Sequence, residues 1–253
     1  MIRSVYYGLL DLITLKKGIK VRINNFEIRL PARYHKYFPK DYEKENFEFF
    51  QEHAKPGMTI IDIGAHFGVF SVYFQKITNG KVYAFEPTKS TFKVLNNTIR
   101  INKCSNKVFP YQEAIDNHSG TATFFISESI GGRGNTLVAD SELGGTNKSY
   151  EVPVTSIDLF TAQKGIKVDF LKIDAEGAEL GVLKGAEQTI KNDRPFILLS
   201  IHPEPIQSRG DTLKEIWDIL MKYRYNILLE DRTLTENEFC STQSLFDLQL
   251  LPL

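Results

Sequence analysis

From Met58 onward, short apolar runs alternate with stretches whose apolar residues recur at helical spacing. The runs are Thr59–Ile63, Lys81–Phe85, Val108–Tyr111, Val168–Ile173, Phe196–Ile201 and Tyr225–Leu229. Between them, Val69–Ile77, Ser90–Asn102, Ala178–Lys191 and Thr212–Tyr223 read as helices. Strands alternating with helices predict an α/β fold, a mostly parallel sheet wound with right-handed crossovers. A last run, Leu245–Leu251, is expected to return antiparallel to that sheet.

Two regions depart from the alternation. Residues 1–55 hold an apolar N-terminal stretch (Ile2, Val5, Leu9, Ile13) that reads as a short amphipathic helix. A hairpin follows, Ile19–Ile23 and Phe26–Leu30 around Asn24-Asn25, a pair suited to positive φ. Asp41–His53 reads as a helix capped by Asp41. This extension ends at Lys55-Pro56-Gly57, and the main domain is expected over 56–253. Residues 120–154 read as two β segments, Thr121–Ile126 and Ser149–Val154, flanking a loop with Gly131, Gly132, Gly134, Gly144 and Gly145. This insertion is expected over the edge of the active site.

The chain has 253 residues, with 31 basic against 31 acidic side chains. That balance gives no electrostatic case for nucleic acid as partner. Two cysteines, Cys104 and Cys240, exclude a disulfide framework and a cysteine-rich zinc site, and they suit a reducing, cytoplasmic setting. No stretch approaches the ~20 apolar residues of a membrane span.

The candidate chemistry sits where strands end. Ile60-Ile61-Asp62-Ile63-Gly64-Ala65-His66-Phe67-Gly68 is a buried strand turning on Gly64 into a helix near Gly68. Amide groups at such a turn attract an anionic group. The G-x-G-x-x-G pattern fails, because His66 and Val69 stand where glycines belong, and no P-loop lysine follows. An aspartate before the turn suits a ligand carrying an amine. S-adenosylmethionine offers an ammonium for Asp62 and a carboxylate for the turn's amides. In Phe85-Glu86-Pro87, Glu86 ends the second strand and can accept from both hydroxyls of a ribose. Glu113-Ala114-Ile115-Asp116 closes the third strand, where Glu113 and Ala114 either border an adenine or form an ordinary strand end.

Phe170-Leu171-Lys172-Ile173-Asp174-Ala175-Glu176-Gly177-Ala178-Glu179 again delivers acids at a strand's carboxyl end, and the sheet order of such folds would place it beside the first strand. Asp174 and Glu176 can orient an acceptor hydroxyl, take its proton or hold a divalent metal. Glu179 reads as a helix cap or helix-face pair. His202, after the fifth strand, is either a base at neutral pH or a fixer of its turn. His66 reads as a packing or backbone residue.

Asp62-Ile63-Gly64-Ala65-His66-Phe67-Gly68, Phe85-Glu86-Pro87 and Leu171–Glu179, with Leu183-Lys184-Gly185-Ala186, resemble the FkbM family of S-adenosylmethionine-dependent methyltransferases over roughly Met58 to His202. The resemblance implies a class I methyltransferase (Rossmann-like) fold, a seven-stranded sheet with one antiparallel strand. It implies O-methylation of a small molecule, sugar or glycan. Carried over by position, Asp62, Gly64, Gly68 and Glu86 would bind the cofactor, Asp174 and Glu176 would stand at the methyl-transfer end, and Asp174 would face the reactive part of the cofactor. His66 stands where the family usually carries asparagine. Acceptor choice would fall to residues 1–55 and 120–154. Two other readings compete: a cofactor-binding partner subunit without turnover, and a nicotinamide-dependent oxidoreductase, against which the absent Tyr-x-x-x-Lys pair counts.

Overall fold

Alternation along the central strands sorts side chains into two cores. In β3 (Thr59–Ile63), Ile61 and Ile63 face one side of the sheet while Ile60 faces the other. β9 (Phe170–Ile173) and β10 (Phe196–Ile201) divide the same way: Leu171, Ile173, Ile197 and Leu199 on one face, Phe170 and Leu198 on the opposite one. Strands buried on both faces demand helices on both. The computed structural model describes residues 17–125 and 149–253. The expected N-terminal helix and the glycine-rich loop lie outside the described residues.

The hairpin is β1 (Ile19–Ile23) and β2 (Phe26–Leu30), turned by Asn24 at φ 50°. Helix α1 (Lys44–His53) follows. It starts later than Asp41: Glu43, in the left-handed region at φ 42°, occupies the cap position, which leaves Tyr42 outside the helix. After β3 come α2 (Val69–Thr78), β4 (Lys81–Phe85), α3 (Lys89–Ile101) and β5 (Val108–Tyr111). The hairpin, α1, α2 and α3 cover one face, with Ile28, Phe47, Phe50, Val72 and Leu95 packed on Ile60 and Phe170.

β6 (Ala114–Ile115), β7 (Gly120–Phe125) and β8 (Ser149–Thr155) form a separate three-stranded sheet, ordered β6-β8-β7. Glu113 and Ala114 therefore do not close β5, which ends at Tyr111. Ala114 opens this second sheet by pairing with Val154, and Glu113 lies just before it. The other face of the main sheet carries α4 (Ile157–Lys164), α5 (Glu179–Lys184), α6 (Glu187–Asp193), α8 (Leu213–Lys222) and α9 (Glu236–Ser241). Short α7 (Pro203–Ser208) follows β10, and Ile206 joins the same core. Ala178–Lys191 is two helices rather than one. At Gly185, which ends α5, a side chain would come within 2.3 Å of the Asp116 carbonyl oxygen, so the backbones meet there and the helix breaks.

The main sheet is completed by β11 (Tyr225–Leu229), the two-residue β12 (Arg232–Thr233) and β13 (Phe246–Pro252), in the order β12-β11-β13-β10-β9-β3-β4-β5. Eight strands replace the expected seven. The eighth is the edge strand β12, which folds back on β11 in two residue pairs. β13 runs antiparallel to both β10 and β11, as expected for the run Leu245–Leu251. From β3 the chain winds outward through β4 to β5; β9 then returns to pair with β3 on its other side, and β10 follows. The winding direction reverses between β3 and β9. Open α/β sheets bind ligands at the carboxyl ends of strands at such a reversal. No helix among the described residues is long and apolar enough to cross a membrane.

Candidate functional site

A cleft of about 430 Å³ opens at that reversal, within the range of small-molecule and cofactor sites. Its walls include Asp62, Gly64, Ala65, His66, Phe67, Glu86, Pro87, Glu113, Ala114, Asp174, Glu176 and His202. Gly68, expected to bind the cofactor, is not part of the wall. It caps α2 at φ 82°, and a side chain there would press on Leu95.

Gly64 is set by backbone crowding. Its φ is 71°, and a Cβ would stand 1.9 Å from the Asp174 carbonyl oxygen. The close approach joins the ends of β3 and β9: Asp174 N–H donates to the Ile63 carbonyl at 3.1 Å. Glycine here holds the two halves of the cleft together.

Asp62 is fully buried and accepts the Ser71 hydroxyl at 2.5 Å, while its Oδ1 has no hydrogen-bond partner. Burial pushes its pKa up, partly offset by Lys172 and Ser71. Glu86, at the end of the neighbouring strand, accepts His66 N–H at 3.0 Å and Thr88 N–H at 2.8 Å. Burial raises it to about 7 despite those bonds. His66 has φ 50° and stacks on Phe67 with ring centres 3.9 Å apart, the packing and backbone role its position suggests. Beyond Glu86, the Tyr150 hydroxyl donates to the Pro87 carbonyl at 3.1 Å and accepts Lys89 N–H at 3.0 Å. These bonds tie the second sheet to the rim, and Phe124 joins the wall.

The opposite end gathers Asp174, Glu176 and His202, each offering one donor atom within 4.8 Å of the others. Asp174 Oδ2 accepts from Lys172 Nζ at 3.1 Å. Burial would raise the Asp174 pKa, but the charges of Lys172 and His202 prevail and hold it low. Burial opposes the charge on Lys172 too, yet Asp174, Asp62 and Glu43 push its pKa up. His202 Nε2 lies 3.7 Å from Asp174 Oδ1 and 3.5 Å from Glu176 Oε2, and its Nδ1 lies 2.8 Å from Glu179 Oε1. Burial favours the neutral ring, but the Glu179 bond and the two other carboxylates raise its pKa to about 9. The three carboxylates around it thus favour the protonated ring.

Four residues of the site escaped the sequence reading. Glu179 was expected to serve its own helix; it does accept Gly177 N–H at 3.1 Å, but it also holds His202 across two elements. Lys172 carried a signal: a lysine inside an otherwise apolar buried strand. Asp247 and Glu43 carried none. Asp247 reaches the cleft because β13 pairs it with Ser200, whose hydroxyl it accepts at 2.6 Å. Glu43 joins it through Asn46, which donates to both.

A family model, the methyltransferase FkbM domain, matches residues 62–227. Methyltransferase sdnD of Sordaria araneosa is 28% identical, over 51% of this chain and 60% of its own length. The hexuronic acid methyltransferase AglP of Haloferax volcanii is 27% identical, over 63% of this chain and 62% of its own length. The chain thus spans about three fifths of these relatives. A solved structure of methyltransferase FkbM from Methylobacillus flagellatus KT superposes with a TM-score of 0.51 at 18% identity, over 81% of this chain and 50% of that one. This likeness supports the fold.

Proposed function

Because the chain belongs to the FkbM methyltransferase family, we propose that it transfers a methyl group from S-adenosylmethionine to a hydroxyl oxygen of a small molecule, sugar or glycan. The observation that carries this reading is that Asp62 and Glu86, ending adjacent parallel strands, open onto one cleft with Asp174 and Glu176.

The residues fit the cofactor. Asp62 Oδ1 is a buried acceptor without a hydrogen-bond partner on the cleft wall, suited to an ammonium. Glu86 supplies the carboxylate that a ribose diol seeks, and Ala114 and Phe124 offer apolar surface beside it. Bound there, S-adenosylmethionine would supply a methyl group already activated by a sulfonium leaving group. The protein then has little covalent work; it holds the acceptor oxygen near and aligned and keeps water out. Asp174 and Glu176 orient the acceptor hydroxyl and accept its proton, and Lys172 keeps Asp174 ionised and fixed. Phe38, Tyr42 and Glu43 from the N-terminal region line the acceptor side with Asp247. A sugar acceptor is in keeping with the name of the Haloferax relative.

The test is transfer of a labelled methyl group to a panel of uncharged sugars, uronic acids and polyols. Wild type labels at least one class. Asp174→Asn keeps cofactor affinity within about tenfold and loses most turnover. Cofactor binding without label on any acceptor would oppose the reading, and full turnover in Asp174→Asn would remove Asp174 from it.

A further inference from the structure

We propose that Asp174, Glu176 and His202 form a binding site for one divalent metal cation at the acceptor end of the cleft. The separations suit coordination. Ligand bonds of about 2.1 Å meeting at about 90–110° place donor atoms about 3.0–3.4 Å apart; His202 Nε2 stands 3.5 Å from Glu176 Oε2 and 3.7 Å from Asp174 Oδ1. All three donor atoms lie within 4.8 Å of one another, so a cation between them would draw the carboxylates and the ring together.

Two of the three ligands are already oriented by their other polar atom. Lys172 holds Asp174 through Oδ2, which turns Oδ1 toward the histidine. Glu179 holds the His202 ring through Nδ1, which turns Nε2 toward both carboxylates. A carboxylate on the far nitrogen is the usual support for a metal-ligating histidine, because it fixes the ring and strengthens the donor. Glu179 is 0% exposed and its Oε2 has no hydrogen-bond partner. A buried acid aimed at the back of this ring is costly, and orienting a metal ligand accounts for it. The cation would take the place of the Nε2 proton. One nitrogen with two carboxylate oxygens suits manganese-like ions better than soft ones. The site faces the cleft, with Asp174 28% and Glu176 30% exposed, so an acceptor oxygen can reach an open position on the ion. That last role rests on the methyl-transfer reading; the binding of the cation does not.

The test is titration of the full chain with Mn²⁺, the free ion being counted by its paramagnetic resonance signal, beside calorimetry with S-adenosylhomocysteine. Wild type should take up one Mn²⁺ per chain. His202→Ala and Glu176→Gln should each lower the affinity at least tenfold, and Glu179→Gln roughly tenfold or more. Glu204→Gln, an exposed carboxylate two residues from His202, should leave it unchanged. Variants that bind S-adenosylhomocysteine like wild type have kept their cleft, so their loss of Mn²⁺ is local. Absence of saturable uptake, or uptake unaltered in both His202→Ala and Glu176→Gln, overturns the proposal. Mn²⁺ uptake without S-adenosylhomocysteine binding would instead sink the cofactor reading and leave the metal site standing.

Discussion

Replacing Glu86 with glutamine removes a charge that burial makes expensive. The folded carboxyl titrates near 7 against an ordinary 4.5. At about 1.4 kcal/mol per tenfold, keeping it ionised in the folded protein costs about 3 kcal/mol. Between these two values the folded state binds more protons than the unfolded chain. Stability from this group therefore falls as pH rises from about 4.5 to about 7 and is level outside that window. From pH 5 to pH 8 the loss is about 2.5 kcal/mol. Urea unfolding at those two pH values, on wild type and Glu86→Gln, isolates the term. The variant also changes the bonds from His66 and Thr88 amides, but that offset is the same at both pH values and cancels in the slope. Wild type should lose about 2.5 kcal/mol more than the variant. The same carboxylate couples to the cofactor: ribose hydroxyls donating to Glu86 favour its charged form. Affinity for S-adenosylhomocysteine should rise about tenfold from pH 6 to pH 8 in wild type and much less in the variant. Parallel stability slopes, or a wild-type slope of opposite sign, would refute the reasoning.

Gly64→Ala should destabilise by more than about 3 kcal/mol in thermal or urea unfolding, since it adds a clash with the Asp174 carbonyl to an unfavourable φ. Gly165→Ala, at φ 61° with no atom within 4 Å of the added carbon, should cost only about 1 kcal/mol. Asp62→Asn should keep the Ser71 bond and the fold, yet weaken S-adenosylhomocysteine binding more than about tenfold by calorimetry, because the ammonium loses its counter-charge. Leu171→Ala, in a central strand and fully buried, should cost about 2–5 kcal/mol in urea unfolding.

The sheet was legible because its strands announce themselves. Thr59–Ile63, Lys81–Phe85, Phe196–Ile201 and Tyr225–Leu229 are short apolar runs closed by turns, and each forms the expected strand. The hairpin at Asn24 was legible for the same local reason. Breaks set by distant backbone were not. Gly185 looks like one more residue of a helix until Asp116 is folded against it. Ala114 reads as the end of β5, although its pairing with Val154 depends on chain forty residues away. The site divides along the same line. Asp62, Glu86, Asp174 and Glu176 stand at strand ends, a position that sequence reveals. Glu179, Asp247 and Glu43 enter through contacts between elements. Gly64 reads in the sequence as a turn residue, but that a side chain there would meet the Asp174 carbonyl follows only from the fold.

The central claim is that Asp62 and Glu86 grip one adenosyl ligand in the cleft at the sheet's reversal. Crystals grown with S-adenosylhomocysteine test it most directly. The account predicts the ribose hydroxyls on the Glu86 carboxylate and the amino group toward Asp62, with sulfur on the side of Asp174. A ligand bound elsewhere, or one in this cleft that touches neither carboxylate, would contradict it.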